Sequence, residues 1–359
     1  MFTLERRVEQ SKSWLALSPI MAIVLTILSG IIIFSVLEKD PWMSLYTFFI
    51  QPLTTGFGVT ELIVKATPLI LIGVGLSIGF KANVWNIGAE GQFTMGAIAG
   101  GGTALFLNTQ ESFLVLPAVL LMGILGGVVW GMIPAFLKTK FNANEILTSL
   151  MLSYVALLIL SYLVHGPWRD PGGYNFPESE IFSDFAMLPI LLEGTRLNLG
   201  TGFALLSVLI IYILLSRTVL GYQFKVVGLA PAAAKHAGFD RAKLIWLSMI
   251  ISGGLAGLAG ISEVSGTIGQ LLPSVSPGYG FTAIIVAFLG RLNPVGVLFA
   301  GLIMALTYIG GENAQIEIGL PAAVTGLFQG IILFFLLACD VLARYRLRYK
   351  PFLKARDRE

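Results

Sequence analysis

Charge is scarce in this sequence. Only 12% of its 359 residues are Asp, Glu, Lys or Arg, 56% are hydrophobic, and the mean hydropathy is +0.84. Soluble domains carry about 25% charged residues, so a soluble helical protein is excluded and the chain reads as an integral membrane protein. Cysteine is almost absent: Cys339 stands alone in the last apolar run, which rules out a disulfide framework. The two histidines, His165 and His236, are remote from each other and from the cysteine, so no metal site is expected. No G-x-x-x-x-G-K-[ST] phosphate loop occurs, so the chain does not hydrolyse nucleotide by that route. No nucleophile, base and orienting residue stand together, so no catalytic residues and no enzyme are expected, and nothing points to a nucleic-acid partner. The apolar runs also lack period-two alternation, which excludes a transmembrane barrel.

What is present is a series of long apolar runs set in membrane lipid. Ser18 to Leu37 carries no charge and is long enough as a helix to span about 30 Å of hydrocarbon. It follows Arg6, Arg7 and Lys12, but it is longer than a signal h-region and no A-x-A-like site follows, so it reads as a retained first helix. Ten membrane segments are expected, at about 18–37, 60–80, 87–107, 113–137, 145–164, 199–216, 244–263, 280–290, 294–310 and 322–339. The eighth is too short for a full crossing and reads as half-helical or re-entrant. The fold class is an all-α polytopic bundle with broken helices. A cytoplasmic segment 1–17 precedes the membrane domain 18–339, and a basic tail 340–359 follows it.

Lysine and arginine orient the bundle. The tail is strongly basic, and the 217–243 loop holds Arg217, Lys225, Lys235, Arg241 and Lys243 against Asp240 alone. The 165–198 loop instead carries Asp170, Glu178, Glu180, Asp184 and Glu193 against Arg169 and Arg196. Both termini are therefore expected in the cytoplasm and the 165–198 loop outside. Glycines recur four apart, at Gly75/Gly79, Gly96/Gly100, Gly123/Gly127/Gly131, Gly253/Gly257 and Gly326/Gly330. That spacing lets helix backbones approach closely in lipid.

Two stretches carry chemistry. FKANVWNIGAEGQF, Phe80 to Phe93, places Asn83, Trp85, Asn86, Glu90 and Gln92 between two apolar runs. A polar, glycine-containing break is tolerated in a membrane only where protein buries it or it lines a wet cavity. It either lines a substrate pathway or caps and packs helix ends. FLGRLNPVGVLFAG, with Asn293, is a weak echo of it, as in transporters built from paired repeats. The second stretch is VGLAPAAAKHAGF, 227–239, with Pro231 suited to the first turn of a short helix. It reads as a helix that either caps the bundle or docks into a partner's cleft, with Lys235 and Arg241 on an acidic rim.

That loop resembles the ATPase-coupling loop of ATP-binding-cassette importer permeases, G-x-N-P-x-A-A-x-x-A-G-[IV]. Gly228, Pro231, Ala233, Ala234, Ala237 and Gly238 match it, with Ala230 in place of asparagine and Phe239 in place of isoleucine. NIGAEGQFTMGAIAG, NEILTSLMLSYVALLI, GPWRDPGGYNFPES and AIIVAFLGRLNPVGVLFAGL resemble, in the same order, the branched-chain amino acid/simple sugar permeases of the subfamily that imports nucleosides. The resemblance runs from about 60 to 338. It implies a nucleoside-importing permease of the bacterial cytoplasmic (inner) membrane. The chain would work with ATPase subunits (a fused double ATPase), a second permease and an external substrate-binding lipoprotein. ATP would be used by the partners and no cofactor bound here. Rival readings are a simple-sugar permease, an ion-coupled carrier with Glu90 or Glu263 as proton site, and a membrane scaffold.

Overall fold

The computed structural model describes residues 2–6 and 12–349. Within the expected terminal segments, residues 1, 7–11 and 350–359 lie outside the described residues. The chain forms two compact units, 52–309 and the pairing of 1–51 with 310–359.

All ten expected segments are occupied by helices. They are α1 (Lys12–Val36), α3 (Gly56–Lys81), α4 (Ala89–Phe106), α5 (Val115–Phe141), α6 (Glu145–His165), α7 (Gly200–Arg217), α10 (Arg241–Glu263), α11 (Tyr279–Leu289), α12 (Pro294–Ile318) and α13 (Ala323–Arg344). Among the described residues, six are long and apolar enough to cross a membrane: α3, α5, α6, α7, α12, and α10 with its π-helical extension to Ile268. α4 is not among them, because Glu90, Gln92, Thr94 and five glycines dilute its hydropathy. α11 has only 11 residues, the short segment the sequence anticipates.

Three short helices add to this set. α2 (Pro41–Leu45) starts at Asp40, whose carboxylate accepts from the Trp42 and Met43 amides at 2.8 and 3.2 Å. It runs on through a π turn and a 3-10 turn to Leu53. α8 (Val219–Leu229) and α9 (Pro231–His236) fill the 217–243 loop. A short strand pair accompanies the helical bundle. β1 (Phe2–Arg6) pairs antiparallel with β2 (Tyr345–Tyr349), Phe2 opposite Tyr349 and Arg6 opposite Tyr345. Tyr345, Leu347 and Tyr349 alternate with Arg346 and Arg348, the period of a strand rather than a helix. The pairing places the two ends of the chain side by side.

In the smaller unit α1 packs on α13, and Phe34, Phe48 and Phe328 form its core, with ring centroids 4.7 to 6.4 Å apart. In the larger unit α3 is the central helix, buried over nearly its whole length. Beside it α4, α5 and α10 join backbone to backbone. A methyl on Gly96 would lie 2.3 Å from the Gly257 Cα, one on Gly127 would lie 2.1 Å from the Gly253 carbonyl oxygen, and one on Gly257 would lie 2.4 Å from that of Gly123. The four-residue glycine spacing is thus close packing in these three helices. Gly326 and Gly330 differ: among the described residues nothing lies within 4 Å of a Cβ there.

The 165–198 segment has little helix yet is firmly fastened. The Ser179 amide donates to the Leu271 carbonyl at 3.0 Å, the Leu271 amide to Ser179 Oγ at 2.9 Å, and the Leu188 amide to the Ser265 carbonyl at 2.9 Å. Arg196 closes it with a two-pronged ion pair to Glu61 of α3, Nε to Oε1 at 3.0 Å and Nη2 to Oε2.

Candidate functional site

The break between α3 and α4 is built by a helix-ending motif. The Val84 amide donates to the Gly79 carbonyl at 2.9 Å and the Asn83 amide to that of Phe80 at 3.2 Å, with Asn83 at φ +56°. This is a Schellman cap, and asparagine is among the few residues that accept its left-handed position readily. The exposed Asn83 side chain accepts from Trp85 Nε1 at 3.0 Å. That bond holds the half-buried indole against Phe80 and Phe288, with centroids at 5.1 and 5.8 Å.

The second break has the same construction. Leu292 N–H donates to the Ala287 carbonyl at 2.8 Å and Arg291 N–H to that of Phe288 at 2.9 Å, with Arg291 at φ +55°. Asn293 then caps α12, accepting from the Val295 amide at 3.0 Å, and Pro294 takes the first helical position. The faint sequence echo is a repeated piece of backbone.

Deeper in the first break the polar groups serve one another. Asn86 is 2% exposed; its Nδ2 donates to Gln92 Oε1 at 2.8 Å and to Ser252 Oγ of α10 at 2.9 Å. Its Oδ1 accepts from the Gly88 amide at 3.1 Å and from Gln92 Nε2 at 3.2 Å. The opening amides of a helix have no partner within it. Here Ser153 of α6 supplies one, accepting from the Gly91 amide, and Ser149 of α6 accepts from the Ile87 amide just ahead of the cap, at 3.2 Å each. Glu90 Oε2 accepts from the Gly280 amide at 2.6 Å, capping the first turn of α11, where the acidic side chain also meets the favourable end of the helix dipole. Glu263, at the end of α10, is also buried, at 7% exposed.

The six residues expected along a substrate pathway therefore divide. Asn86, Gln92 and Glu90 are buried and bonded within the chain, the first two to each other. Asn83 and Asn293 are exposed caps, and Trp85 belongs to an aromatic stack. Ser149, Ser153 and Ser252 had no signal in the sequence: their partners lie 62 to 166 residues away.

The loop helices form the second part of the site. Thr218 caps α8, accepting from the Gly221 amide at 3.2 Å. Ala230 breaks the direction, and Pro231 begins α9 as anticipated. Phe239 N–H returns to the Ala234 carbonyl at 3.0 Å with Gly238 at φ +76°, a second left-handed ending, and Asp240 caps α10. Ala233, Lys235, Ala237, Gly238 and Arg241 are exposed, whereas Ala234 is 2% exposed and faces its own chain. Phe239, which departs from the coupling-loop pattern, stacks edge-on against Tyr222 of α8 at 6.3 Å. An open cleft of about 530 Å³ lies here, with Val227, Pro231, Ala234 and Phe239 as apolar lining and Lys235 and Arg241 as its cations beside the Asp240 carboxylate.

A bundle of apolar helices, a buried polar break and a loop cleft are the features that the comparisons with known proteins explain. Residues 58–337 match the family described as branched-chain amino acid transport system / permease component. The chain is 37% identical over 345 residues to the glucose ABC transporter permease protein TsgB13 of Haloferax volcanii, covering 93% of this chain and 90% of that one. It is 31% identical over 340 residues to the guanosine ABC transporter permease protein NupP of Bacillus subtilis (93% and 94% covered), and 28% over 334 to the nucleoside ABC transporter permease protein NupB of Lactococcus lactis (91% and 92%). The chain belongs to the branched-chain amino acid transport system / permease component family and is an ABC importer permease.

Proposed function

We propose that this chain forms half of a pathway that imports nucleosides across the bacterial cytoplasmic membrane, both termini inside, by alternating access. Its partners are a second permease, an external substrate-binding lipoprotein and ATPase subunits, in the form of a fused double ATPase, which use the ATP. The observation that carries the coupling is the α8–α9 turn: a short helix presenting Ala233 outward beside an apolar cleft with Lys235 and Arg241. An acidic, close-fitting groove on an ATPase complements that surface.

The cargo is a neutral, hydroxyl-rich ring. Three buried carboxylates of the larger unit are engaged by their own chain: Glu61 by Arg196, Glu145 by Lys138 at 2.9 Å and Glu90 by the Gly280 amide. A charged cargo needs an unpaired countercharge, whereas a ribose or a base does not. The relatives named for guanosine and nucleosides support the nucleoside. The 37% identical relative named for glucose supports a second reading, a simple sugar.

The deciding experiment is initial uptake of labelled guanosine by proteoliposomes holding the whole complex, with unlabelled glucose as competitor. ATP-dependent uptake that excess glucose leaves untouched is the expected result. Displacement by glucose moves the assignment to the sugar, and uptake driven by a pH gradient without ATP overturns the importer mechanism.

A further inference from the structure

Gly228 stands in the last turn of α8, two residues before the bend into α9. A Cβ there would lie 1.9 Å from the Lys81 carbonyl oxygen and 3.2 Å from the Ala82 Cα. The last turn of α8 therefore rests on the end of α3 with backbone against backbone. Lys225 stands one turn earlier on α8, and Lys81 is the last residue of α3. Beyond Lys81 the Schellman turn leads without slack to Trp85, which stacks on Phe288 of α11, and to Asn86, which bonds Ser252 of α10.

We infer that Gly228 is the rigid joint by which the ATPase-docking helix moves the α3–α4 break, so that FKANVWNIGAEGQF receives the stroke and passes it to α10 and α11. The idea rests on α9 being the docking helix. Gly228 is a positioning residue: it touches no cargo, and only a backbone without Cβ fits so close an approach.

The test uses the complete complex in proteoliposomes and reads uptake per ATP hydrolysed. A merely structural defect lowers both rates together and leaves that ratio alone. Gly228→Ala is expected to hydrolyse ATP within about two-fold of wild type while the ratio falls at least ten-fold. An unchanged ratio overturns the proposal. A second arm holds if that variant does not assemble. In a Cys339→Ser background, Lys81→Cys with Lys225→Cys is joined by a flexible bismaleimide. A rigid joint keeps the uptake of the same double variant before and after cross-linking, and loss of uptake on cross-linking overturns the proposal. Ala233→Glu reports the docking reading separately: unchanged ATPase binding and uptake there remove docking and this proposal together. Should Ala233→Glu abolish ATPase binding while Gly228→Ala keeps the wild-type ratio, only the joint fails.

Discussion

Phe80 and Phe288 stack at 5.2 Å with ring planes 16° apart, and each stands three residues before the left-handed residue that ends its helix, Asn83 or Arg291. Equivalent positions of two copies of one backbone motif thus touch each other. The contact couples the two broken helices of the larger unit, α3 and α11, at their ends.

The network behind that contact gives the first prediction. Asn86→Ala removes the acceptor of the Gly88 amide and both partners of the Gln92 amide group. Each buried polar group left unmatched costs about 1–3 kcal/mol. Melting temperature in detergent and uptake are expected to fall together. A loss of uptake at unchanged melting temperature would put Asn86 on the cargo instead.

The two alanines of α9 separate docking from folding. Ala233→Glu, at an exposed position, is expected to abolish ATPase association and leave the melting temperature of the isolated permease within a degree or two. Ala234→Glu, at a buried one, is expected to lower that temperature as well, since overpacking costs about 1–3 kcal/mol before the charge is counted. Equal behaviour of the two variants would contradict the placement of this helix.

Topology is checked by labelling. With Cys339 replaced by serine, a cysteine at Glu180 is expected to react with an impermeant thiol reagent in intact cells. A cysteine at Lys235 is expected to react only after the membrane is opened. The opposite pattern reverses the orientation inferred from lysine and arginine.

Arg196 fastens the end of the 165–198 segment to Glu61, which is 6% exposed. Hydrogen bonds to charged groups contribute about 1.5–3 kcal/mol. Arg196→Ala is expected to speed hydrogen exchange across 190–198 while the exchange of α5 is unaffected. Adding Glu61→Gln, which removes the buried charge, should restore part of the lost stability.

Glycines offer a paired comparison. Gly257→Ala drives a methyl to 2.4 Å from the Gly123 carbonyl oxygen and is expected to destabilise by about 1–3 kcal/mol. Gly326→Ala, with nothing within 4 Å, is expected to be neutral or to stabilise by up to about 1 kcal/mol through helix propensity. Similar melting temperatures for both would refute the interlock.

The ten main helices were legible because a membrane demands long apolar runs, and Pro231 was legible because proline suits the first turn of a helix. α2 was not: five residues carry no periodicity, although Asp40 before Pro41 is a cap signal in plain view. β1 and β2 were missed because each is five residues long and the partners lie at opposite ends of the chain. The polar break was visible as chemistry but not as wiring. Nothing local to Asn86 or Glu90 announces Ser252 on α10 or the Gly280 amide on α11, so cargo contact and helix capping look alike until the chain is folded. The glycine pairs show the same limit: Gly127 and Gly326 have the same spacing but opposite surroundings.

The glycine seam of α4, α5 and α10 has a consequence for how the protein can open and close. Where side chains separate two helices, rotamer changes let them tilt against each other like bristles. At this seam a methyl does not fit between the backbones, and there are no bristles to bend. These three helices behave as a single beam, so the strain of each turnover is borne at the ends of the beam and in the loops attached to it.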